Sequence, residues 1–274
     1  MLIAIILIIL VVSGYLFLIF PAKTKREDYL RFAKYGYAHR GFHDNEIGPS
    51  ENTMDAFIAA NGYGYGIELD VQLTRDKKVV VFHDSDLART SSIDQKILDI
   101  DYNQLKQIKV YGREEIPLLE DVLAVLDKNL PIVVEIKSEG GREWVNEICR
   151  LTYEILRGYD GIYCVESFDP LAVAWFKKAD PSIIRGQLSM AATGYKGTTN
   201  PFTGFLLHSL LLNLISRPHF IAYQHEDNCL ALMILKLLRV MIFRWTIKNQ
   251  QRHNELLAIS DGLIFEGYTP ESRW

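Results

Sequence analysis

Short apolar runs recur along this chain, each followed by a stretch with helical spacing, and that recurrence limits the fold more than any other feature. The runs are YGYAHRG (35–41), GIELDVQ (66–72), IVVEIKS (132–138), IYCVESF (162–168), IIRGQLS (183–189), FIAYQHE (220–226), MIFRWTI (241–247) and DGLIFEG (261–267). Near-continuous apolar runs suit strands buried on both faces, as in a parallel sheet. KVVVFHD (78–84) reads as an extra strand pairing with the end of the second run. Between the runs, Met54, Phe57 and Ile58 form a helical stripe stopped at Asn61-Gly62. Leu119, Val122, Leu123 and Leu126 form another that ends near Asn129, and Trp144, Ile148, Leu151 and Ile155 a third. Asp169-Pro170 reads as an N-cap and first-turn proline for a helix over Leu171, Ala174 and Trp175. About eight β-then-α units in ~240 residues predict a (β/α)8 TIM barrel. A doubly wound open sheet is the alternative, but no GxGxxG opens the first unit.

The first residues belong to a different physical class. Leu2 to Phe20 carries no charged side chain, and a helix of ~20 residues rises ~30 Å, enough to cross a bilayer core. No basic leader and no small-x-small cleavage site accompanies it. Residues 1–22 therefore read as a retained transmembrane helix, a single-pass cell-membrane anchor, with a buried soluble helix as the alternative. Residues 23–34 read as a charged juxtamembrane linker or short helix, and 35–274 as the barrel. Lys23, Lys25, Arg26, Arg31 and Lys34 follow the apolar stretch, so the positive-inside rule places the barrel on the cytoplasmic side. Cys149, Cys164 and Cys229 have no CxxC spacing, which fits a reducing compartment. A net charge of −4 and a pI near 6.0 argue against nucleic acid as a bulk electrostatic partner. FTGFLLHSLLLNLI (202–215) and residues 230–240 are unusually apolar. They suit outer-layer helices, or a surface that docks on the bilayer or guards a lipid-like substrate. Asn213, Ser216, Arg217 and Pro218 cut the run too short for a second span.

Polar residues interrupt the strands at their carboxyl ends, where a barrel collects function. Glu68 and Asp70 stand two apart and so share one face, as do Glu135 and Lys137. Three carboxylates on neighbouring strands repel unless positive charge sits among them. A metal cation, or a structural ion-pair network with Arg40 and Lys137, would each supply it. His39 and His83 are satisfied core histidines or a general acid and base. Arg40 and Lys137 balance charge or bind an anionic phosphodiester. Ser167, Gln187 and Trp245 also fall at run ends, whereas His43, His208, His219, His225 and His253 have no comparable setting. No GxSxG elbow offers a serine nucleophile.

Taken in order, His39-Arg40-Gly41, Glu51-Asn52-Thr53, Glu68-x-Asp70, His83-Asp84, Ile116-Pro117-x-Leu119-Glu120-x-Val122-Leu123 and Glu135-x-Lys137 form a collinear set. With Ser167-Phe168 and Trp245-Thr246, this set resembles the glycerophosphodiester phosphodiesterase family from about Tyr37 to Tyr268. The resemblance implies a metal-dependent (β/α)8 barrel that cleaves glycerophosphodiesters to glycerol 3-phosphate and an alcohol. It implies His39 and His83 as catalytic residues, Glu68, Asp70 and Glu135 as metal ligands, and Glu51 and Asn52 in support. Arg40 and Lys137 would bind the phosphodiester, with Trp245 as an apolar wall. All-oxygen ligation suits a hard divalent cation, Mg²⁺ or Ca²⁺. The family pattern further implies attack by a glycerol hydroxyl through a cyclic phosphate. Two departures stand out: Ser50 separates Pro49 from Glu51, and Phe265-Glu266 replaces the Thr-Asp of many members. The anchor is found only in some members. The rival readings are a lysophospholipase D acting on membrane lysolipids, and a catalytically silent membrane-bound barrel.

Overall fold

The computed structural model describes residues 1–271. In chain order the elements are α1 (Leu2–Ile19), α2 (Arg26–Phe32), β1 (Tyr35–Ala38), α3 (Met54–Tyr63), β2 (Gly66–Leu73), β3 (Val79–Val81) and α4 (Ala88–Ser91). Next come α5 (Tyr102–Leu105), a small hairpin of β4 (Lys109–Val110) and β5 (Glu114–Glu115), α6 (Leu119–Val125), β6 (Ile132–Ile136) and α7 (Arg142–Leu156). The second half holds β7 (Tyr163–Ser167), α8 (Pro170–Ala179), β8 (Arg185–Ser189), α9 (Pro201–His208), α10 (Asn213–Ser216) and β9 (Phe220–Gln224). It ends with α11 (Leu230–Leu237), β10 (Met241–Ile247), α12 (Gln250–Leu257) and β11 (Gly262–Phe265).

The main sheet runs β1-β11-β10-β9-β8-β7-β6-β2-β3, and a further β1–β2 pairing closes it. Every pairing between barrel strands is parallel, and β3 alone lies antiparallel, on β2. An open doubly wound sheet is thereby ruled out. The extra strand expected at 78–84 is present but shorter.

Period-two alternation sorts the side chains. Leu69, Val71, Val134 and Ile136 point outward into the layer beneath the helices, with Phe57, Val122, Ile148 and Phe176. Tyr37, Val133, Cys164, Phe220, Phe243 and Ile264 point inward and fill the base of the lumen. Small residues make room for these rings: a Cβ on Gly66 would sit 2.7 Å from the Tyr37 ring, and one on Gly262 2.7 Å from Phe243. One step further along the same inward faces lie His39, Glu68, Glu135, Glu166, Trp245 and Glu266. The lumen is therefore apolar below and polar above.

The segment 23–34 that follows α1 is a structural plug. Helix α2 buries Phe32 in the lumen's base cluster, and Tyr37 donates a 2.6 Å hydrogen bond to the Phe32 carbonyl. Helix α3 continues to Tyr63, past the expected stop at Asn61-Gly62. Gly64, at φ 72°, supplies the left-handed C-cap instead. Helix α6 ends at Val125, short of Asn129. The Asp169 cap is present, accepting from the Leu171 amide.

The apolar run 202–215 breaks into α9 and α10, and Leu210 and Leu211 between them pack with α11 outside β9. The last turn of α1 joins that layer through buried Ile19. Three carbonyls at its end are satisfied: Asn213 Nδ2 donates to Ile19 O at 3.0 Å, and Arg217 Nη1 to Phe17 O at 2.8 Å and Phe20 O at 2.6 Å. The side chains from Leu2 to Val12 are exposed.

Candidate active site

At the carboxyl end of β2, Glu68 and Asp70 point into the lumen, and the β2–β6 register sets Asp70 beside Glu135. One oxygen from each of the three carboxylates falls within 4.8 Å of the others, and all three residues are buried. Lys137, two residues beyond Glu135, places Nζ 2.8 Å from Glu135 Oε1 and 2.7 Å from Asp70 Oδ1.

The turn after β1 wraps the opposite side of this cluster. Arg40 adopts φ 56° and Gly41 φ 83°, and a Cβ on Gly41 would strike Ala56 Cβ at 2.8 Å. A left-handed arginine costs on the order of 1 kcal/mol. The turn aims the Arg40 amide at Glu68 Oε2, 2.9 Å away, and its guanidinium at Glu51 Oε1, 2.7 Å away. Arg40 Nε is 3.5 Å from Asp70 Oδ2. Asn52, also at φ 56°, donates Nδ2 to Asp70 Oδ2 at 2.8 Å. The serine inserted before Glu51 does not disturb this side: Ser50 donates its hydroxyl to Glu114 at 2.6 Å, leaving Glu51 and Asn52 in contact with the cluster.

Both histidines are held by carboxylates. His39 Nδ1 bonds Glu266, whose other oxygen lies 2.8 Å from Lys248 Nζ. His39 Nε2 is 3.9 Å from Glu68 Oε2. His83 Nδ1 bonds Asp84 Oδ1 at 2.6 Å. Arg89 ties the second histidine to the rest, with Nε 2.6 Å from Asp84 Oδ2 and Nη2 2.6 Å from Glu51 Oε1.

Burial and charge set the protonation states. Burial pushes Glu68 well above the usual carboxylate range, and the charges of Asp70, Glu135 and Glu166 push it further. Burial also raises Glu135, against the pull of Lys137. For Asp70, burial acts upward, but Lys137, His83 and Arg40 outweigh it and hold the carboxyl well below its ordinary value. Burial drives His39 down to about 4, only partly opposed by Glu266, so the ring is neutral at pH 7. Burial opposes ionisation of Glu51, yet Arg89 and Arg40 bring it down to about 2.

The site opens in two stages. An inner cavity of about 110 Å³ touches His39, Glu68, His83, Glu135, Glu166 and Trp245. It adjoins a mouth of about 560 Å³ that shares His83 and Glu135 and extends past Lys137 and Phe168 to Met190 and Tyr195. Trp245 meets Phe168 edge-on at 5.6 Å, and its buried Nε1–H has no acceptor among the described residues. Such an orphaned donor beside a cavity is placed to meet a ligand oxygen.

The structure thus brings together the residues singled out in the sequence: His39, Arg40, Glu51, Asn52, Glu68, Asp70, His83, Glu135, Lys137 and Trp245. Four more belong here that sequence reasoning did not assign: Asp84, Arg89, Glu166 and Glu266. Glu166 is 1 % exposed, pairs in register with Glu135, and is pushed well above the carboxylate range by burial and by Glu135 and Asp70. Its place two residues after the inward-facing Cys164 was the available signal. Glu266 stood out only as a departure from the family pattern.

Comparison with known proteins agrees with this geometry. The model of the "Glycerophosphoryl diester phosphodiesterase family" matches residues 39–264. A glycerophosphodiester phosphodiesterase of Caldanaerobacter subterraneus is 38% identical over 245 residues, covering 83% of this chain and 91% of the relative. A lysophospholipase D of Mus musculus is 31% identical over 162 residues, 54% of this chain and 49% of that protein. The solved structure of an Oleispira antarctica phosphodiesterase, in complex with the product sn-glycerol-3-phosphate, has the same fold. It superposes with a TM-score of 0.69 at 22% identity, covering 86% of this chain and 94% of its own. With its barrel, its rim of acids and histidines and the span of the family match in agreement, the chain belongs to the glycerophosphoryl diester phosphodiesterase family and is a phosphoric diester hydrolase.

Proposed function

We propose that this chain hydrolyses glycerophosphodiesters to glycerol 3-phosphate and an alcohol, using a hard divalent cation, Mg²⁺ or Ca²⁺, held by Glu68, Asp70 and Glu135. The observation that carries the reading is the cluster itself. Two of its three enclosed carboxyls are pushed toward protonation, although Lys137 already touches Glu135. An all-oxygen set of this kind fits Mg²⁺ or Ca²⁺. When bound, the cation supplies positive charge against the negative charge that develops at phosphorus.

The remaining roles fall to the chain's own groups. Lys137 and Arg40 attract the phosphodiester anion, and the Trp245 ring walls the inner cavity. Glu266 holds the Nδ1–H of neutral His39, leaving Nε2 free to accept a proton from the glycerol hydroxyl next to the phosphoester. That hydroxyl attacks phosphorus with the advantage of proximity and forms a cyclic glycerol phosphate. His83, backed by Asp84, gives its proton to the leaving alcohol oxygen. Water then opens the cyclic ester with the two proton roles reversed. The test is glycerophosphocholine hydrolysis with added cation: His39→Ala and His83→Ala should each lower kcat by at least about a hundredfold.

A second reading, lysophospholipase D activity, is favoured by the apolar side of the mouth at Phe168 and Met190. Rates compared across acyl-chain lengths separate the two. We further infer that α1 is a membrane anchor with the barrel on the cytoplasmic side. It is apolar throughout and long enough to span, and the basic residues Lys23 to Lys34 follow it. Retention in membranes through carbonate extraction, and protection from protease outside intact cells, test that placement.

A further inference from the structure

Helix α1 has a definite direction relative to the barrel. Its carboxyl end lies at the base: Ala22 N donates to Pro218 O at 2.8 Å and Thr24 Oγ1 to His219 O at 2.9 Å, both just before β9 begins. Tyr15, one turn earlier than Ile19, packs against the cluster that includes Leu210, Tyr223 and Cys229, and lies near Cys229. Cys229 caps α11, which starts after β9 has reached the catalytic rim. Toward its amino end, α1 therefore climbs the flank and leaves the barrel on the side of the active-site mouth.

The free part of the helix, Leu2 to Gly14, is about 20 Å long, against about 30 Å for a bilayer core. Some 10 Å is missing if the rim stands clear of the lipid. Beside the departing helix, the rim carries the side chains that would make up the difference. Phe202 and Phe205 of α9 are 70% and 53% exposed, and Leu230 at the start of α11 is 64% exposed. The α9 end lies at rim level, since Ser189 donates to Leu207 O and His208 Nδ1 is 3.2 Å from Met190 O. Exposed Lys196 precedes them, suited to an anionic headgroup. Interfacial side chains of this kind sink about 5–10 Å into the headgroup and acyl boundary. That depth is comparable to the deficit.

We propose that the barrel seats rim-first on the bilayer, with Phe202, Phe205 and Leu230 inserted beside α1 and the active-site mouth at headgroup level. This rests on the anchor and on the active-site reading given above. It specifies a substrate that is taken up from the lipid surface, without first crossing bulk water.

The test uses the full chain in vesicles of phosphatidylcholine and phosphatidylglycerol carrying doxyl-labelled lipid. An environment-sensitive fluorophore is placed at Phe202→Cys, Leu230→Cys or Leu237→Cys; the native cysteines are buried. Leu237 is the control, 84% exposed but at the base end of α11. Labels at 202 and 230 should be quenched roughly twofold or more, and the label at 237 unchanged. Equal quenching at all three positions would mean the flank lies on the membrane, and no quenching would mean the barrel stands away; either overturns the proposal. Release by carbonate would overturn the anchor and the orientation together. Hydrolysis of soluble glycerophosphocholine in detergent reports on the active-site reading separately, because the quenching does not depend on turnover.

Discussion

His83 Nδ1 lies 2.6 Å from Asp84 Oδ1, and the other oxygen of that carboxylate lies 2.6 Å from Arg89 Nε. The imidazole is thus oriented from behind by its sequence neighbour, which is fixed in turn by an arginine that also grips Glu51. On the other side of the cavity Glu266 does the same for His39. Two histidines with separately anchored Nδ1 atoms thus line one inner cavity.

Loss of either anchor should therefore lower kcat and leave substrate affinity nearly intact. Asp84→Asn and Glu266→Gln should each cost about 10–100-fold in kcat with KM changed less than about threefold. Steady-state kinetics on glycerophosphocholine measures the split. A large rise in KM with kcat unchanged would assign these carboxylates to binding.

Removing one ligand should separate activity from stability. Glu68 is held well above the usual carboxylate range by burial and by its acidic neighbours, so the metal-free fold disfavours its charged form. Glu68→Gln should abolish cation-dependent turnover while leaving the apo protein as stable as wild type or more so. Added Mg²⁺ or Ca²⁺ should raise the wild-type Tm and not that of the variant. Thermal melts with and without cation are the measurement.

Lys137 gives the opposite pattern. It bridges Asp70 and Glu135 at 2.7 and 2.8 Å inside the lumen, and its removal leaves two buried acids unbalanced. Lys137→Met should destabilise the apo protein by about 3–5 kcal/mol in urea unfolding. Cation should recover part of that loss.

A stability slope with pH should trace to His219, remote from the acidic cluster. Burial, then the charge of Arg185, lowers this ring to about 4 from its ordinary 6.5. Below pH 6.5 the unfolded chain binds a proton that the folded one refuses, so this contribution is complete above 6.5 and is lost as pH falls toward 4. At pH 5 the loss is about 2 kcal/mol. Urea unfolding at pH 7 and pH 5 should show a shallower slope for His219→Gln by that amount.

Much of the site was legible because strand parity writes it into the sequence. Glu68-x-Asp70 and Glu135-x-Lys137 point the same way by spacing alone, and the parallel register then brings them together. Arg89 was not legible: it sits in a short loop helix, and its value comes from Glu51, 38 residues away. Glu166 was hidden for another reason. Its inward direction follows from Cys164, but nothing local marks an acid that pairs in register with Glu135. Helix ends erred where two stops competed, and Gly64, at φ 72°, took the left-handed cap two residues beyond Gly62. The break between α9 and α10 was beyond periodicity, since the three consecutive leucines Leu210 to Leu212 occupy most of it.

The central claim is a cation-dependent cleavage at the Glu68–Asp70–Glu135 cluster, and the release of glycerol 3-phosphate from glycerophosphocholine tests it most directly. With Mg²⁺ or Ca²⁺ the chain should produce glycerol 3-phosphate and choline. Chelator should stop the reaction, restored cation should restart it, and a substrate lacking the hydroxyl next to the phosphoester should turn over at least about a hundredfold more slowly. Undiminished release of glycerol 3-phosphate in excess chelator would contradict the account.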